Sequence, residues 1–118
     1  MPKLKTGSVL TGDLEEGYLY TELNPQIQTG MYSGNGSPKQ SINLGKRPKF
    51  VYVSPMNGVI NKYNGTTLQI YGGLALDGQP LKDGSNLPAV EITNTGFSVD
   101  KDDNYTNEPN TIYYYIWG

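Results

Sequence analysis

The chain has 118 residues, enough for one domain with its own core, and it contains neither cysteine nor histidine. The missing cysteine excludes disulfides and thiolate chemistry, and the missing histidine removes the commonest general base and metal ligand. Nine basic residues against eleven acidic ones give a net charge of −2, so we expect no nucleic-acid and no anionic-membrane partner.

The first 25 residues carry the weakest pattern. Two short apolar runs, Val9-Leu10 and Tyr18-Leu19-Tyr20, flank an acidic turn, and Asn24-Pro25 marks a boundary. We predict an N-terminal arm over residues 1–25 with one or two short edge strands. The first residues lack the apolar core of a signal peptide, and no apolar run approaches the ~20 residues that span a bilayer. We therefore expect a protein without a signal peptide and without a membrane partner.

From residue 26 onward, short apolar or alternating runs are separated by turn residues. No window shows the i, i+3, i+4, i+7 spacing of an amphipathic helix, and Asn64-Gly65 predicts a hairpin. Residues 77–86 and 100–110 are predicted loops, the second of them polar. The pattern predicts an all-β domain over residues 26–118, an antiparallel β-sandwich of jelly-roll or immunoglobulin-like type with few or no helices. The predicted strands cover residues 27–32, 40–44, 49–53, 59–63, 66–71, 89–92, 97–99 and 111–118.

The C-terminal strand is predicted to be central in a sheet. Every position from 112 to 117 is aromatic or β-branched, so both of its faces favour burial; residues 49–53 are predicted to be a second central strand for the same reason. We expect the aliphatic-rich side to face the core: Ile112, Tyr114 and Ile116. The opposite side is a candidate interaction surface whose polar tips reach water, the alternative being that its rings fill a small sandwich: Tyr113, Tyr115 and Trp117.

Two groups of acidic residues are candidate chemical sites. Residues 100–104 resemble the start of a calcium loop, but Tyr105 replaces the sharp-turn glycine and Thr111 replaces the bidentate glutamate, which favours a solvated loop. A carboxylate pair for glycoside hydrolysis would have to come from acids that lie in loops or point outward from a strand, where nothing raises their pKa. These acids are Asp77, Asp83, Glu91 and Asp100.

The basic residues give one cluster, Lys46, Arg47 and Lys49, beside the start of a predicted strand. A solvated strand end explains this cluster better than a phosphate or nucleic-acid site. The sequence therefore predicts a protein that is not an enzyme, with no catalytic residue, no cofactor and no metal.

Six short motifs follow one another in a fixed order. They are IQTGMYSGNGS at 27–37, QSINLG at 40–45, RPKFVYV at 47–53, GGLAL at 72–76, TGFSV at 95–99 and TIYYYIWG at 111–118. Over residues 27–118 this order resembles a domain of tail and fibre proteins of phages that infect Gram-positive bacteria. It is similar to small stand-alone proteins from the tail region of Bacillus siphophages and to the shoulder domain of lactococcal phage receptor-binding proteins.

The resemblance implies a β-sandwich that serves as a structural or attachment module and has no catalytic residues. Its partners would be other phage tail proteins or the host cell-wall surface. It would be found in the virion tail, or in the host cytoplasm during assembly. The alternative is a carbohydrate-binding module that recognises cell-wall glycan, and a third hypothesis is a glycan hydrolase. The oligomeric state stays open, a monomer included.

Overall fold

The computed structural model describes residues 27–118, which form ten β-strands and no helix. All strand pairs are antiparallel, which confirms the predicted all-β class. The predicted arm over residues 1–25 lies outside the described residues. The strands are β1 (Gln28–Ser33), β2 (Lys39–Asn43), β3 (Phe50–Pro55), β4 (Asn61–Tyr63), β5 (Leu68–Ile70), β6 (Gly73–Leu76), β7 (Leu81–Lys82), β8 (Pro88–Thr93), β9 (Gly96–Asp100) and β10 (Ile112–Trp117).

Two four-stranded sheets pack face to face and form a β-sandwich. The first sheet has the order β1-β10-β3-β6 and the second has the order β2-β9-β8-β7, while β4 and β5 form a separate hairpin. The first strand thus pairs with the last, and the second pairs with the last but one. In an immunoglobulin sandwich the first two strands share a sheet, whereas β1 and β2 lie in different sheets. The arrangement is therefore closer to a jelly roll.

The core lies between the sheets and is built from alternate residues of both. The ring of Tyr113 stacks on that of Tyr32 with centroids 4.9 Å apart, and Phe97 from the second sheet meets Tyr32 edge-on at 5.9 Å. These offset and edge-to-face geometries are the ones that aromatic quadrupoles favour. The buried residues of this core cluster are Tyr32, Val51, Val53, Ala75, Tyr113 and Trp117 from the first sheet and Val90, Ile92, Phe97 and Val99 from the second.

Most predicted strands match the observed ones to within a few residues. The predicted hairpin at Asn64-Gly65 is present and joins β4 to β5. Its turn is stabilised by the Asn64 side chain, which accepts hydrogen bonds from the amides of Thr66 and Thr67, and by Gly65, which has a positive φ. Two of the observed strands, β6 and β7, were not predicted from the sequence. β6 is short and begins at the second of two adjacent glycines, and β7 has only two residues and a register shift against β8.

The C-terminal strand is central, as predicted, but its faces are the reverse of the prediction. β10 lies between β1 and β3. Tyr113 and Trp117 are buried in the core and Tyr115 packs against it, whereas Tyr114 and Ile116 are exposed on the outer side. The interaction surface expected at Tyr113, Tyr115 and Trp117 is therefore wrong. The prediction assumed that tyrosine hydroxyls would need water, but the fold supplies protein partners for the Tyr113 hydroxyl.

Those partners come from the closing loop, residues 101–111, which packs over one end of the sandwich. The Tyr113 hydroxyl donates to the carbonyl oxygen of Tyr105 at 2.6 Å and accepts from the amide of Glu108 at 2.9 Å. The Tyr32 hydroxyl donates to the carbonyl oxygen of Thr106 at 2.7 Å. The sequence predicted a solvated loop here, and that is wrong for its inner half.

Three polar residues of the closing loop are at most 2% exposed: Asn104, Thr106 and Asn107. The Thr106 hydroxyl donates to the carbonyl oxygen of Ala89 and accepts from the amide of Asp100. The Asn107 side chain donates to the side-chain oxygen of Asn35 at 2.8 Å and accepts from its amide at 3.1 Å. Because these buried groups are hydrogen-bonded, a polar segment can close an apolar core.

Candidate functional site

The outer apolar face is the side of the first sheet that points away from the core. Its residues follow from the register, since paired residues of an antiparallel sheet share a face. Met31 pairs with Tyr114, and Thr29 pairs with Ile116, which in turn pairs with Tyr52 and so reaches Leu74. The positions on this face are Ile27, Thr29, Met31, Ser33, Ile112, Tyr114, Ile116, Gly118, Phe50, Tyr52, Ser54, Met56, Leu74 and Leu76.

None of the positions of the outer apolar face holds a charged residue. Seven of its large apolar side chains are between 39% exposed, at Ile116, and 64% exposed, at Ile27. A typical monomer has no continuous apolar patch larger than about 300–600 Å². A charge-free face that spans four strands is therefore a candidate interaction surface.

The opposite side of the sandwich shows that this apolar character is local. On the second sheet, Ile42, Ile92 and Val99 point inward, and most of the alternate positions are polar or charged. Alternation of this kind is usual where one face of an antiparallel sheet meets water. The outward residues include Lys39, Ser41, Asn43, Glu91, Thr93 and Asp100.

The sequence contains one indication of the outer apolar face, which is the presence of two strands that are apolar on both sides. Residues 49–53 and 112–117 were both recognised as apolar on two sides, which is typical of strands that are covered on both faces. The second sheet covers the inner side of both strands. The sequence could not show that their outer sides would be left uncovered by every described residue, because that depends on where the remaining strands pack.

The three rings first proposed as a surface have another role. Burial raises the pKa of Tyr113 to about 12, against the effect of the Glu108 amide, which lowers it. Burial also raises the pKa of Tyr32, and the neighbouring Tyr113 adds to this. Lys46 lies 5.7 Å above the ring of Trp117, close enough for a cation–π contact that shields the ring from solvent. These rings stabilise the core and are not free to bind.

Besides the outer apolar face, the molecule has a cleft between the β4–β5 hairpin, the β7–β8 turn and the closing loop. This polar cleft has a volume of about 510 Å³ and holds one aromatic ring, that of Tyr105. Tyr105 stacks on Tyr71 with centroids 5.0 Å apart, and the Gln69 side chain donates to its hydroxyl at 2.9 Å. The lining residues are Thr67, Leu68, Gln69, Asp83, Gly84, Ser85, Leu87, Asp103, Asn104 and Tyr105.

Two carboxylates line the polar cleft, and neither is suited to hydrolysis. Asp83 accepts hydrogen bonds from the amides of Ser85 and Leu87, so its carboxylate shapes its own turn. Desolvation, followed by repulsion from Asp102, Asp100 and Asp83, raises the pKa of Asp103, but its side chain is exposed. A general acid of a glycosidase is kept protonated by an apolar pocket, which Asp103 lacks.

Three more of the charged residues that the sequence singled out, Asp100, Arg47 and Asp77, make hydrogen bonds within the fold. Asp100 accepts hydrogen bonds from the amides of Asp103 and Asn104, so the segment that resembled a calcium loop is a turn capped by its own carboxylate. Arg47 donates to Asp77 at 2.7 Å and to Asn94 at 2.7 Å. This contact lowers the pKa of Asp77, chiefly through the hydrogen bond.

Within residues 27–118, no group of three or more acidic side chains is placed to hold a metal ion. This part of the chain also has no helix of the length and apolar character needed to cross a bilayer. Comparisons with protein-family models, with curated proteins and with solved structures found no match. The case for a function therefore depends on the surface itself and on the sequence motifs.

Proposed function

We propose that this chain is a non-enzymatic structural or accessory protein of a phage tail region, with a role in attaching the particle to a Gram-positive host. The observation that carries the proposal is the outer apolar face, which suits a protein that works by assembling with others. The order of six motifs that resembles phage tail and fibre proteins supplies the particular setting. The β-sandwich fold agrees with what that resemblance implies.

The electrostatics support assembly over direct wall binding. Gram-positive walls carry anionic polymers, and this chain has a net charge of −2. Two members of its basic cluster are already engaged, Arg47 with Asp77 and Asn94, and Lys46 with Trp117. Nothing in this charge distribution steers the protein toward an anionic wall. A single copy would bind walls weakly, and attachment would require many copies.

The test is immuno-labelling of purified virions, beside a pull-down of the fluorescent protein on host cell walls. We expect label on the tail region and weak or undetectable binding of the isolated protein to walls. Label absent from virions, together with saturable micromolar binding to walls, would overturn the proposal.

A second candidate function, recognition of cell-wall glycan, is favoured by the polar cleft. Its hydroxyl, amide and carboxylate groups beside the Tyr105 ring are the kinds of group that hold sugars. Asp103 lines the cleft and Asp102 does not, and both are exposed. If the cleft binds glycan, Asp103→Ala abolishes retention on cell walls and Asp102→Ala does not. Equal retention in both variants would contradict this candidate.

A further inference from the structure

The outer apolar face raises the question of what covers it. This inference rests on the proposed function, because it names the partner of the same surface. We propose that the partner is a second copy of this chain, and that two copies pack their outer apolar faces together around a two-fold axis. Two twisted sheets pack face to face in this way in aligned β-sandwiches, about 10 Å apart and rotated by about 30°.

The size of the face fits a dimer. Seven large side chains on it are between 39% and 64% exposed. Side chains of this size present on the order of 200 Å² when fully exposed, so these seven leave roughly 700 Å² uncovered. A stable interface of standard size takes about 800 Å² from each partner, so one copy can supply what another needs.

The chemistry of the face fits self-association. A two-fold contact brings the same patch of both copies together, so a charge close to the axis would meet its own like charge. The face avoids this because none of its positions is charged. Homodimer interfaces are more apolar than others and are depleted in charge, and this face has both properties.

An unlike partner fits less well. Selection of one partner among many relies on complementary charges and directional hydrogen bonds. Besides the tyrosine tips, the face offers only the hydroxyls of Thr29, Ser33 and Ser54. Its recognition chemistry is therefore general and apolar, which is enough for a second copy held in register by symmetry.

Residues 1–26 are the other candidate cover, and their sequence argues against it. Between Leu14 and Leu23, a strand period brings no more than three apolar residues to one side. On a helix, the more apolar side would carry Glu15 and Glu22 at its middle. A cover for four strands needs a broad apolar side of its own. A second copy of the face supplies one.

The experiment measures the mass of the full chain in solution by sedimentation equilibrium over a range of concentrations. We expect twice the 13.0 kDa of one chain. Ile116→Lys places a charge at the middle of the face and should weaken the dimer by on the order of 100-fold. Ser41→Lys places the same charge on the outer side of the second sheet and should leave the mass unchanged. Met31→Lys, at a more exposed position of the face, repeats the test if Ile116→Lys does not fold.

Each other outcome overturns the proposal in a recognisable way. A dimer that survives both Ile116→Lys and Met31→Lys uses another surface, and a mass of three or more copies excludes a closed two-fold pair. If the wild-type chain is a monomer and Ile116→Lys lowers its melting temperature, residues 1–26 cover the face. If the wild-type chain is a monomer and Ile116→Lys does not change its melting temperature, the partner is a different protein. Labelling of virions is independent of these masses, so failure of the dimer does not imply failure of the proposed function.

Discussion

At the scale of single residues, buried tyrosines join the core to the closing loop. Tyr32 and Tyr113 stack in the core, and their hydroxyls reach backbone groups of the loop. A tyrosine buried in this way contributes apolar area at its ring and a hydrogen bond at its tip. Such residues therefore stabilise two parts of the fold at once.

Replacement of Tyr113 by Phe tests this linkage. The variant leaves the carbonyl oxygen of Tyr105 and the amide of Glu108 without their partner, which should lower the free energy of unfolding by about 1–3 kcal/mol. Urea denaturation measures the change. Tyr63→Phe is the matched control, because the Tyr63 ring is exposed on β4 and lies outside the outer apolar face. Equal stability of the two variants would show that the Tyr113 hydroxyl contributes nothing.

The raised pKa values of the same two tyrosines predict how the free energy of unfolding depends on pH. Burial raises the pKa of Tyr113 to about 12, and it raises the pKa of Tyr32 as well, whereas an unfolded tyrosine has a pKa of about 10. Below pH 10 both states keep their protons, and the full stability is present. Above pH 10 the unfolded chain releases protons that the folded chain retains, so the free energy of unfolding falls as pH rises. We expect the urea midpoint to drop between pH 10 and 11.5 and the drop to be smaller in Tyr32→Phe. A midpoint that is constant over this range would contradict the assignment.

Some of these residue roles could be predicted from sequence, and others could not. Alternation within residues 89–92 and 97–99 is a local signal that puts Val90 and Ile92 on one side of their strand and Phe97 and Val99 on one side of theirs, and all four are buried. The faces of the last strand could not be assigned locally, since both are apolar. Burial of the side with Tyr113, Tyr115 and Trp117 agrees with the contacts of the closing loop, whose backbone groups bind the Tyr113 hydroxyl.

At the scale of elements, the closing loop and the turn between β1 and β2 form one unit. Asn35 and Asn107 are 72 residues apart and bind each other through side-chain and backbone atoms. The amide of Gly34 donates to the carbonyl oxygen of Thr111 at 2.8 Å. The sequence identified both segments as turns or loops. Their contact could not be predicted, because turn residues show where a chain bends and not what it then touches.

Replacement of Gly34 by Ala tests this contact. A Cβ at Gly34 would overlap the carbonyl oxygen of Glu108, a backbone atom that cannot move without displacing the closing loop. We expect a loss of about 2 kcal/mol or more in the free energy of unfolding, and faster hydrogen exchange in residues 101–111. Gly84→Ala is the control, because open space surrounds that position, and it should change stability by less than about 0.5 kcal/mol. If the two variants behave alike, the turn and the loop are not packed as a unit.

At the scale of the whole molecule, the two outer sides of the sandwich are chemically different. The outer side of the second sheet carries polar and charged residues such as Lys39, Ser41 and Glu91, as is usual for a surface in water. The outer side of the first sheet, with Met31 and Tyr114, has no charged residue. The sequence predicted the sandwich from short strands and frequent turns. It did not predict this asymmetry, because membership of a sheet is set by long-range pairing such as that of β1 with β10.

A shortened chain that begins at Pro25 tests whether residues 27–118 are self-sufficient. The ten strands that the structure describes, the apolar core between them and the hydrogen bonds of the closing loop lie within these residues, so the shortened chain should unfold in one cooperative transition. The single tryptophan, Trp117, is 5% exposed in the core, and its fluorescence reports the transition directly. Because the outer apolar face also lies within residues 27–118, the shortened chain should keep the mass of the full chain. Loss of cooperative unfolding would mean that residues 1–24 supply part of the core and that the predicted domain boundary is wrong. If the full chain is a dimer, cooperative unfolding of a monomeric shortened chain would instead place those residues in the contact between copies.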